Sequence, residues 1–422
     1  MKLSRVFSFP VSVPMPRSPP SQWDESWSVQ LYSLAESGNS KGIGESLLAG
    51  GIPPEVIQWL INRFLSPRLT GKDLEPREAN ELMMKAVFSA GLSGISMIGV
   101  SGVDVAIWDL KGKMLGKHIS ELLASEGYPL NGGESTAEEI RVPVYASLPR
   151  FAHCQALIEA VGRAEKAGFN MVKLHQSPAS SLRCLKEVRE AFPKIRIAVD
   201  LNCGFSEVKA EQELSAMSSY GVEWFEEPIW PPDDYSGLRH LACMGFPLAA
   251  GEDEYRPLGF ERLCEAGVKY LQPDVSKVGG ITRFLEVSKV AEDYGVPLAA
   301  HVRPHASYVN AAATLALSGS VRQISMVEFP YFPFSPRLFT NLPTVSNGVA
   351  SVKKLPGIGT EFLLADYAYS EQQRALDFAD LDGLNFSGRR EKSLGAWSKL
   401  LVCFRSSRSS CPLRFLSLFR FS

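Results

Sequence analysis

"KIRIAVDLN" (194–202), "GVEWFEEP" (221–228) and "FPLAAGEDE" (246–254) each run a short apolar stretch into an acid: Asp200, Glu226 and Glu252. Both intervals between these acids are 26 residues. That is room for one strand, one helix and two loops, so three successive parallel strands would place three acids on one rim of a barrel. Three converging hard oxygen ligands with open positions suit Mg²⁺. The spacing therefore predicts a metal site, and with it an enzyme.

The strand–helix alternation extends outward from these segments. From Val142 the apolar strands read "VPVYAS", "NMVKLH", "IRIAVD", "VEWFEE", "PLAAGE", "VKYLQPD", "VPLAAH" and "ISMVEF", ending at Phe329. Helical stretches such as "HCQALIEAVGRAEKAG" (153–168) and "ITRFLEVSKVAEDYG" (281–295) separate them. Gly168, Gly221, Gly267 and Gly295 stand where helices should stop, as C-cap glycines do. This α/β pattern fits a TIM-type barrel, with a doubly wound sheet as the alternative. Polar residues at nearly every strand end favour the barrel, whose rim they would line. Before it, "WSVQLYSLAESGNSKGIGES" (27–46) reads as two strands joined by a turn. Helices follow in "PPEVIQWLINRFL", with Val56, Trp59, Leu60 and Phe64 sharing a face, then in "EPREANELMMKAVFSAG", and near 102–113.

The chain of 422 residues has a formal net charge of −2, which asks for neither nucleic acid nor an anionic membrane. The seven cysteines are scattered, with no CxxC pair, and are read as reduced thiols of a cytoplasmic protein. A mitochondrial transit peptide stays open, since no acid precedes Asp24; a secretory signal is not expected. No apolar run reaches the ~20 residues of a membrane span. The last segment, "SKLLVCFRSSRSSCPLRFLSLFRFS" (398–422), is basic, and no acid follows Glu391.

Four more strand ends carry ionisable groups. Lys173 and His175 alternate onto one face of their strand, which would be the barrel interior. Asp274 with Lys277 ends the sixth strand, His301 the seventh and Glu328 the eighth. A metal flanked by Lys/His on one side and Asp/His on the other suits abstraction of a proton α to a carboxylate, giving an enediolate. One base must reach the α carbon, and a group on the opposite face can return a proton or expel a leaving group. An Asp bonded to a His fixes its tautomer. Asn202, two residues past Asp200, is placed to bond substrate or metal water. Lys277 is read as pairing with a metal-ligating carboxylate, and Glu227 as a structural partner on the other side of its strand. Arg303 and His305 are expected to be solvated, with a sugar-hydroxyl role open to them and to Tyr331. "SKVGGI" lacks GxxxxGK[ST], so nucleotide binding is discounted.

"PVYAS", "DLNCGFS", "WFEEPIWPPD", "AAGEDEY", "QPDVSKVGGIT" and "AAHVRPH" resemble barrel segments of the enolase superfamily, in its mandelate racemase and muconate lactonizing enzyme branch. "SGVDVAIWDLKGKMLGKHISELL" resembles the segment before that barrel, and "GIGES" the hairpin of the capping domain. The resemblance covers about residues 25–365. It implies an α+β capping domain over a modified (β/α)7β barrel, with Mg²⁺ on Asp200, Glu226 and Glu252. It also implies the Asp274–His301 dyad of the mandelate racemase-like subgroup, and Glu328 as the group that bonds the substrate carboxylate. Lys173 matches the first lysine of a Lys-x-Lys motif whose second lysine is His175 here. That departure favours one-base elimination over racemisation by two matched bases.

The expected organisation is a loose arm at 1–22, a capping domain at 23–138 and the barrel at 139–335. A segment returning to the cap follows at 336–380, and an atypical, disordered tail at 381–422. The expected activity is Mg²⁺-dependent dehydration of an acid sugar to a 2-keto-3-deoxy acid. His301, Asp274, Lys173 and His175 are its catalytic group, and Glu328, Asn202 and Lys277 contact substrate. A racemase, epimerase or cycloisomerase, and a catalytically inactive paralogue, are the alternatives. The partner expected is a small carboxylate, and the protein itself a homo-oligomer.

Overall fold

The computed structural model describes residues 1–12, 29–48, 52–128, 138–303, 307–332 and 334–363. The amino-terminal part opens with β1 (Arg5–Ser12), β2 (Val29–Ser37) and β3 (Ser40–Ser46), an antiparallel meander in the order β1-β2-β3. β1 corrects the expected loose arm. Its full length pairs with β2, from Arg5 opposite Glu36 to Ser12 opposite Val29, and Val6 and Phe9 are buried. Pro10 within it, and four more prolines by position 20, hid a strand whose backbone needs are met at the sheet edge.

Helices α1 (Pro54–Trp59) and α2 (Ser66–Leu69) flank a wider π-helical turn at Leu60–Leu65. The expected face is wrong: Val56 is 44% and Trp59 63% exposed, while Ile57, Ile61, Leu65 and Leu69 are buried. A four-residue spacing overruns each turn of an ideal α-helix by about 40°. The π turn takes back that drift and keeps all four side chains facing the core. Next come α3 (Pro76–Val87), closed by a Glu75–Glu78 capping box, α4 (Gly94–Leu115) and α5 (Ile119–Ser125). α4 starts eight residues before the expected position, because it is buried on nearly every side and carries no amphipathic period to read. β3 lies flush on α4. A Cβ at Gly42 would fall 2.1 Å from the Ala106 carbonyl, and one at Gly44 would fall 2.0 Å from that of Gly102.

The second part is β4 (Glu139–Ser147), α6 (Cys154–Lys166), β5 (Met171–Leu174), α7 (Pro178–Ala191), β6 (Arg196–Asp200), α8 (Glu207–Ser218), β7 (Val222–Glu226), α9 (Tyr235–Cys243), β8 (Leu248–Ala250), α10 (Pro257–Ala266), β9 (Tyr270–Leu271), α11 (Gly280–Tyr294), β10 (Leu298–Ala300), α12 (Val309–Ser318) and β11 (Ile324–Pro330). Neighbouring strands are parallel, and β11 closes on β4 through Val327–Val144 to Pro330–Ser147. This is the modified TIM barrel, (β/α)7β, with the expected strands in the expected order. Gly168, Gly221, Gly267 and Gly295 all take positive φ, as their stop signals require. The hairpin β12 (Thr344–Ser346) and β13 (Val349–Lys353) adds antiparallel to the start of β4. Beyond it, the Ile358 amide reaches back to Asp109 on α4. The basic tail lies outside the described residues.

Inside the barrel, one layer takes a side chain from each strand: Tyr145, Met171, Ala198, Trp224, Ala249, Tyr270, Ala299 and Met326. Large rings face small alanines. Trp224 packs against Tyr145 and Tyr270 with centroids 5.2 and 5.1 Å apart. This layer is a dry floor, and the strand ends above it carry the polar residues. The amino-terminal unit docks through buried Asp104 on α4, which accepts from the Thr282 amide and hydroxyl at the start of α11 and from Asn80. A disulfide joins Cys154 on α6 to Cys184 on α7. It corrects the reading of those two as reduced thiols. Thirty residues apart in sequence, they gave no spacing signal, but the adjacent helices bring their Cα atoms to 5.2 Å.

Candidate active site

Asp200 and Glu226 end β6 and β7, and Glu252 stands two residues past β8. The structure brings together one oxygen from each, all within 4.8 Å of one another. Lys173, fully buried on β5, lies 2.5 Å from Glu226, 3.0 Å from Glu328 and 3.7 Å from Asp200. His175 Nε2 is 2.8 Å from Asp200. Across the ring, His301 Nδ1 meets Asp274 at 2.6 Å, and its Nε2 turns to Glu252 at 3.0 Å. The acids, Lys173/His175 and Asp274/His301 thus surround one point above the barrel floor.

The site's charge is unbalanced in a telling way. Burial pushes the Glu226 carboxyl up to about 8, and the charges of Asp200, Glu328 and Glu252 add to that against Lys173. Burial opposes charge on Lys173 too, yet Glu226 and Glu328 hold its ammonium well above the ordinary range. Burial works against ionised Glu252, but the facing His301 holds it well below the usual carboxylate range. His301, despite burial, is held well above a normal imidazole by Glu252, Glu328 and its bond to Asp274. Carboxylates this close repel one another, which a proton or a bound cation relieves. Asp200 Oδ2 is buried and faces His175 Nε2 at 2.8 Å and the Lys173 ammonium at 3.7 Å. Hard oxygens and their close convergence fit Mg²⁺.

Several supporting residues were not foreseen. The Trp224 indole donates to Glu226 at 3.1 Å, the Gln272 amide donates to the same oxygen, and the Tyr145 hydroxyl donates to Glu328 at 3.2 Å. The signal was present for Trp224, which stands two residues before Glu226 on β7 and hence on the same strand face, whereas Gln272 and Asp274 lie past the end of β9. Arg150, past β4, bonds the His175 carbonyl at 3.0 Å and the Asn202 side chain at 3.2 Å.

Other expectations are corrected. Asn202 is an exposed residue at φ +43°, and its amide donates to Asp200 Oδ1 at 2.8 Å, so it braces that acid. Lys277 is buried but pairs with Asp253 at 2.7 Å, the neighbour of Glu252. Glu227 turns back to the rim at φ +38°, where its carboxylate groups with Glu252 and Asp253. Strand alternation fails there because the strand has already ended. Arg303 is buried, not solvated, and donates to the Leu48 carbonyl. His305 lies outside the described residues, and Tyr331 is half-buried.

Two family models match this chain: the mandelate racemase / muconate lactonizing enzyme N-terminal domain over residues 26–124, and the enolase C-terminal domain-like family over 156–366. The chain belongs to the mandelate racemase and muconate lactonizing enzyme family of the enolase superfamily. Among its relatives is a D-galactarolactone cycloisomerase of Agrobacterium fabrum, 29% identical over 69% of this chain and 79% of its own. An arabinonate dehydratase of Saccharolobus solfataricus is 28% identical over 78% and 86%. The solved 3,6-anhydro-D-galactonate cycloisomerase of Zobellia galactanivorans superposes with a TM-score of 0.74 at 23% identity, covering 88% of this chain and 99% of that one. The superposition shows the shared fold. The amino-terminal unit is therefore this family's capping domain.

Proposed function

We propose that the protein catalyses Mg²⁺-dependent abstraction of the proton α to the carboxylate of an acid sugar, with dehydration to a 2-keto-3-deoxy acid as the outcome. The observation that carries this reading is the placement of His301 Nε2 at the carboxylate cluster while its Nδ1 is locked onto Asp274 at 2.6 Å. Asp200, Glu226 and Glu252 would hold Mg²⁺, which when bound offsets negative charge developing on the substrate carboxylate. Asp274 keeps a proton on Nδ1, and Nε2, protonated while it faces Glu252, would protonate the departing hydroxyl, or take the α proton once bound Mg²⁺ offsets the Glu252 charge. Lys173 supplies fixed positive charge on the other side, and Glu328 Oε1 is a buried oxygen with no hydrogen bond among the described residues, open to a substrate group. His175 lines the same side as Lys173, where it can serve as the second acid or base.

Relatives that carry dehydratase and cycloisomerase names support the substrate class and leave two outcomes for one proton abstraction. Elimination is favoured by the unequal sides of this site: a histidine held by a carboxylate faces a histidine that stands where the family pattern has lysine. Isomerisation is the second reading, favoured by the cycloisomerase relative. The test is incubation with Mg²⁺ and individual acid sugars in D₂O, followed by mass spectrometry, with His301→Asn as control. Loss of one water that requires both Mg²⁺ and His301 supports dehydration. Deuterium uptake without water loss moves the assignment to isomerisation. Neither signal across aldonates, aldarates and their lactones refutes the proposal. A cytoplasmic location loses its sequence argument, since Cys154 and Cys184 are joined. No helix among the described residues is long and apolar enough to cross a membrane.

A further inference from the structure

"GIGES" in β3 carries a carboxylate, Glu45, that the chemistry above does not use. Glu45 is 2% exposed, and its Oε2 accepts from the Ser307 hydroxyl at 2.6 Å and the Asn310 amide at 3.1 Å. Both donors belong to the barrel, at the entrance to the ten-residue helix α12. A carboxylate at a helix amino terminus is also favoured by the helix dipole. The Tyr32 hydroxyl of β2 donates to the same Ser307 at 2.8 Å, so two cap strands grip this turn. Gly42 and Gly44, pressed onto α4, hold β3 in place behind the carboxylate.

The same turn reaches the dyad. Asn310 Nδ2 lies 3.2 and 3.4 Å from the two oxygens of Asp274 and 2.9 Å from the Ser276 hydroxyl. The amide cannot be reversed. Asp274 only accepts, and the Thr314 hydroxyl donates to Asn310 Oδ1 at 3.3 Å. Ser276 adds its own amide and hydroxyl to Asp274 Oδ1 at 2.7 and 2.6 Å. Asp274 Oδ2 is then left to His301. All members of this chain are nearly or wholly buried. A carboxylate held by this many donors keeps one orientation, and its orientation sets the imidazole's.

We propose that Asn310 and Glu45 are positioning residues for His301: the cap, through Glu45, fixes the first turn of α12, and Asn310 on that turn aims Asp274 at the histidine. The cap thereby acts on the rate of proton transfer as well as on substrate binding. The kinetic part of this inference rests on the function proposed above; the structural part does not.

The test uses the full chain labelled with ¹⁵N-histidine. In the wild type, the Nδ1 proton of His301 should give a far-downfield resonance, which His301→Asn removes. Asn310→Ala is expected to move or broaden that resonance with no substrate present. It should also slow α-proton exchange by roughly 10–100-fold with KM changed by less than about twofold, as loss of an outer support does. Glu45→Gln, which keeps an oxygen acceptor, should do the same more weakly. Glu45→Ala combined with Asn310→Ala should be no slower than Asn310→Ala alone, because the residues act in series. An unchanged resonance in Asn310→Ala overturns the inference, as do additive losses or an effect confined to KM. If no acid sugar reacts with the wild type, the proposed function fails while the resonance still decides this relay.

Discussion

Replacing Lys173 with methionine removes the one ammonium that lies among Glu226, Glu328 and Asp200, at 2.5, 3.0 and 3.7 Å. Methionine fills nearly the same volume, so the change is chiefly one of charge. Breaking a buried pair by deleting one partner costs about 3–5 kcal/mol, because the remaining charge stays buried. Here the lower end applies in the absence of metal. Glu226 is already pushed up to about 8, so it can take a proton at neutral pH and remain as a neutral acid. With unfolding entropy at ~2.1 cal/mol/K per residue, 3 kcal/mol over the 331 described residues lowers Tm by about 4 °C. The cost should then depend on two further variables. It should grow as pH rises through the Glu226 titration, since the raised carboxyl must give up its proton beside Glu328. It should shrink when Mg²⁺ is added, since a bound cation can take over the neutralising role. The assay is thermal unfolding of wild type and Lys173→Met at several pH values, in chelator and in excess Mg²⁺. Equal stability of the two proteins in chelator would refute the reasoning. So would a deficit that Mg²⁺ leaves untouched, since Lys173 would then stabilise something other than the metal-site acids.

Mg²⁺ alone should raise the Tm of the wild type, by an amount equivalent to about 2.7 kcal/mol at 100 times its Kd, and Glu252→Gln should lose most of that rise in a titration followed by scanning fluorimetry. The Cys154–Cys184 bond spans 30 residues, so the double replacement Cys154→Ser, Cys184→Ser should lower stability by ~3–4 kcal/mol in urea unfolding without altering α-proton exchange. Asp104 gives a pH signature. Burial pushes its carboxyl up to about 6, against the lowering effect of its bonds to Thr282 and Asn80, so the folded chain keeps a proton that the unfolded chain has released. The unfolded state then binds fewer protons, and stability falls as pH rises between about 4 and 6, by ~3 kcal/mol in all. Urea midpoints of wild type and Asp104→Asn across that window should show this slope only in the wild type.

The barrel was legible because its signals are local and repeated. Apolar strand, polar end, helix and glycine stop recur along it, and Asp200, Glu226 and Glu252 needed nothing but their spacing. What the sequence hid is what depends on partners distant in the chain. β1 looked like a loose arm because its prolines speak against a strand, while β2, which pairs with it, begins at Val29. Val56 and Trp59 looked like core because an ideal helical wheel was assumed where the chain inserts a π turn. Asn310 carried no signal at all. It sits 36 residues from Asp274 and 265 from Glu45, in an alanine-rich helix where an asparagine reads as a surface residue. Glu227 was misjudged for the opposite reason: alternation was extended past the end of its strand, where loop backbone decides direction.

The two sides of the site are not built to equal tolerance, and this bears on what the protein can catalyse. His301 is held from behind by Asp274, which is itself held by Ser276 and Asn310 and, through α12, by the cap. His175 is held through its main chain, where Arg150 takes its carbonyl at 3.0 Å, and its Nε2 faces Asp200. A reaction that moves a proton from one face of a carbon to the other needs two bases placed with equal care. An elimination needs one such base and a group that can protonate a departing hydroxyl, and it tolerates a looser partner. Histidine in place of lysine shortens the reach on that side. The shorter reach of His175 therefore favours elimination, in keeping with the function proposed above.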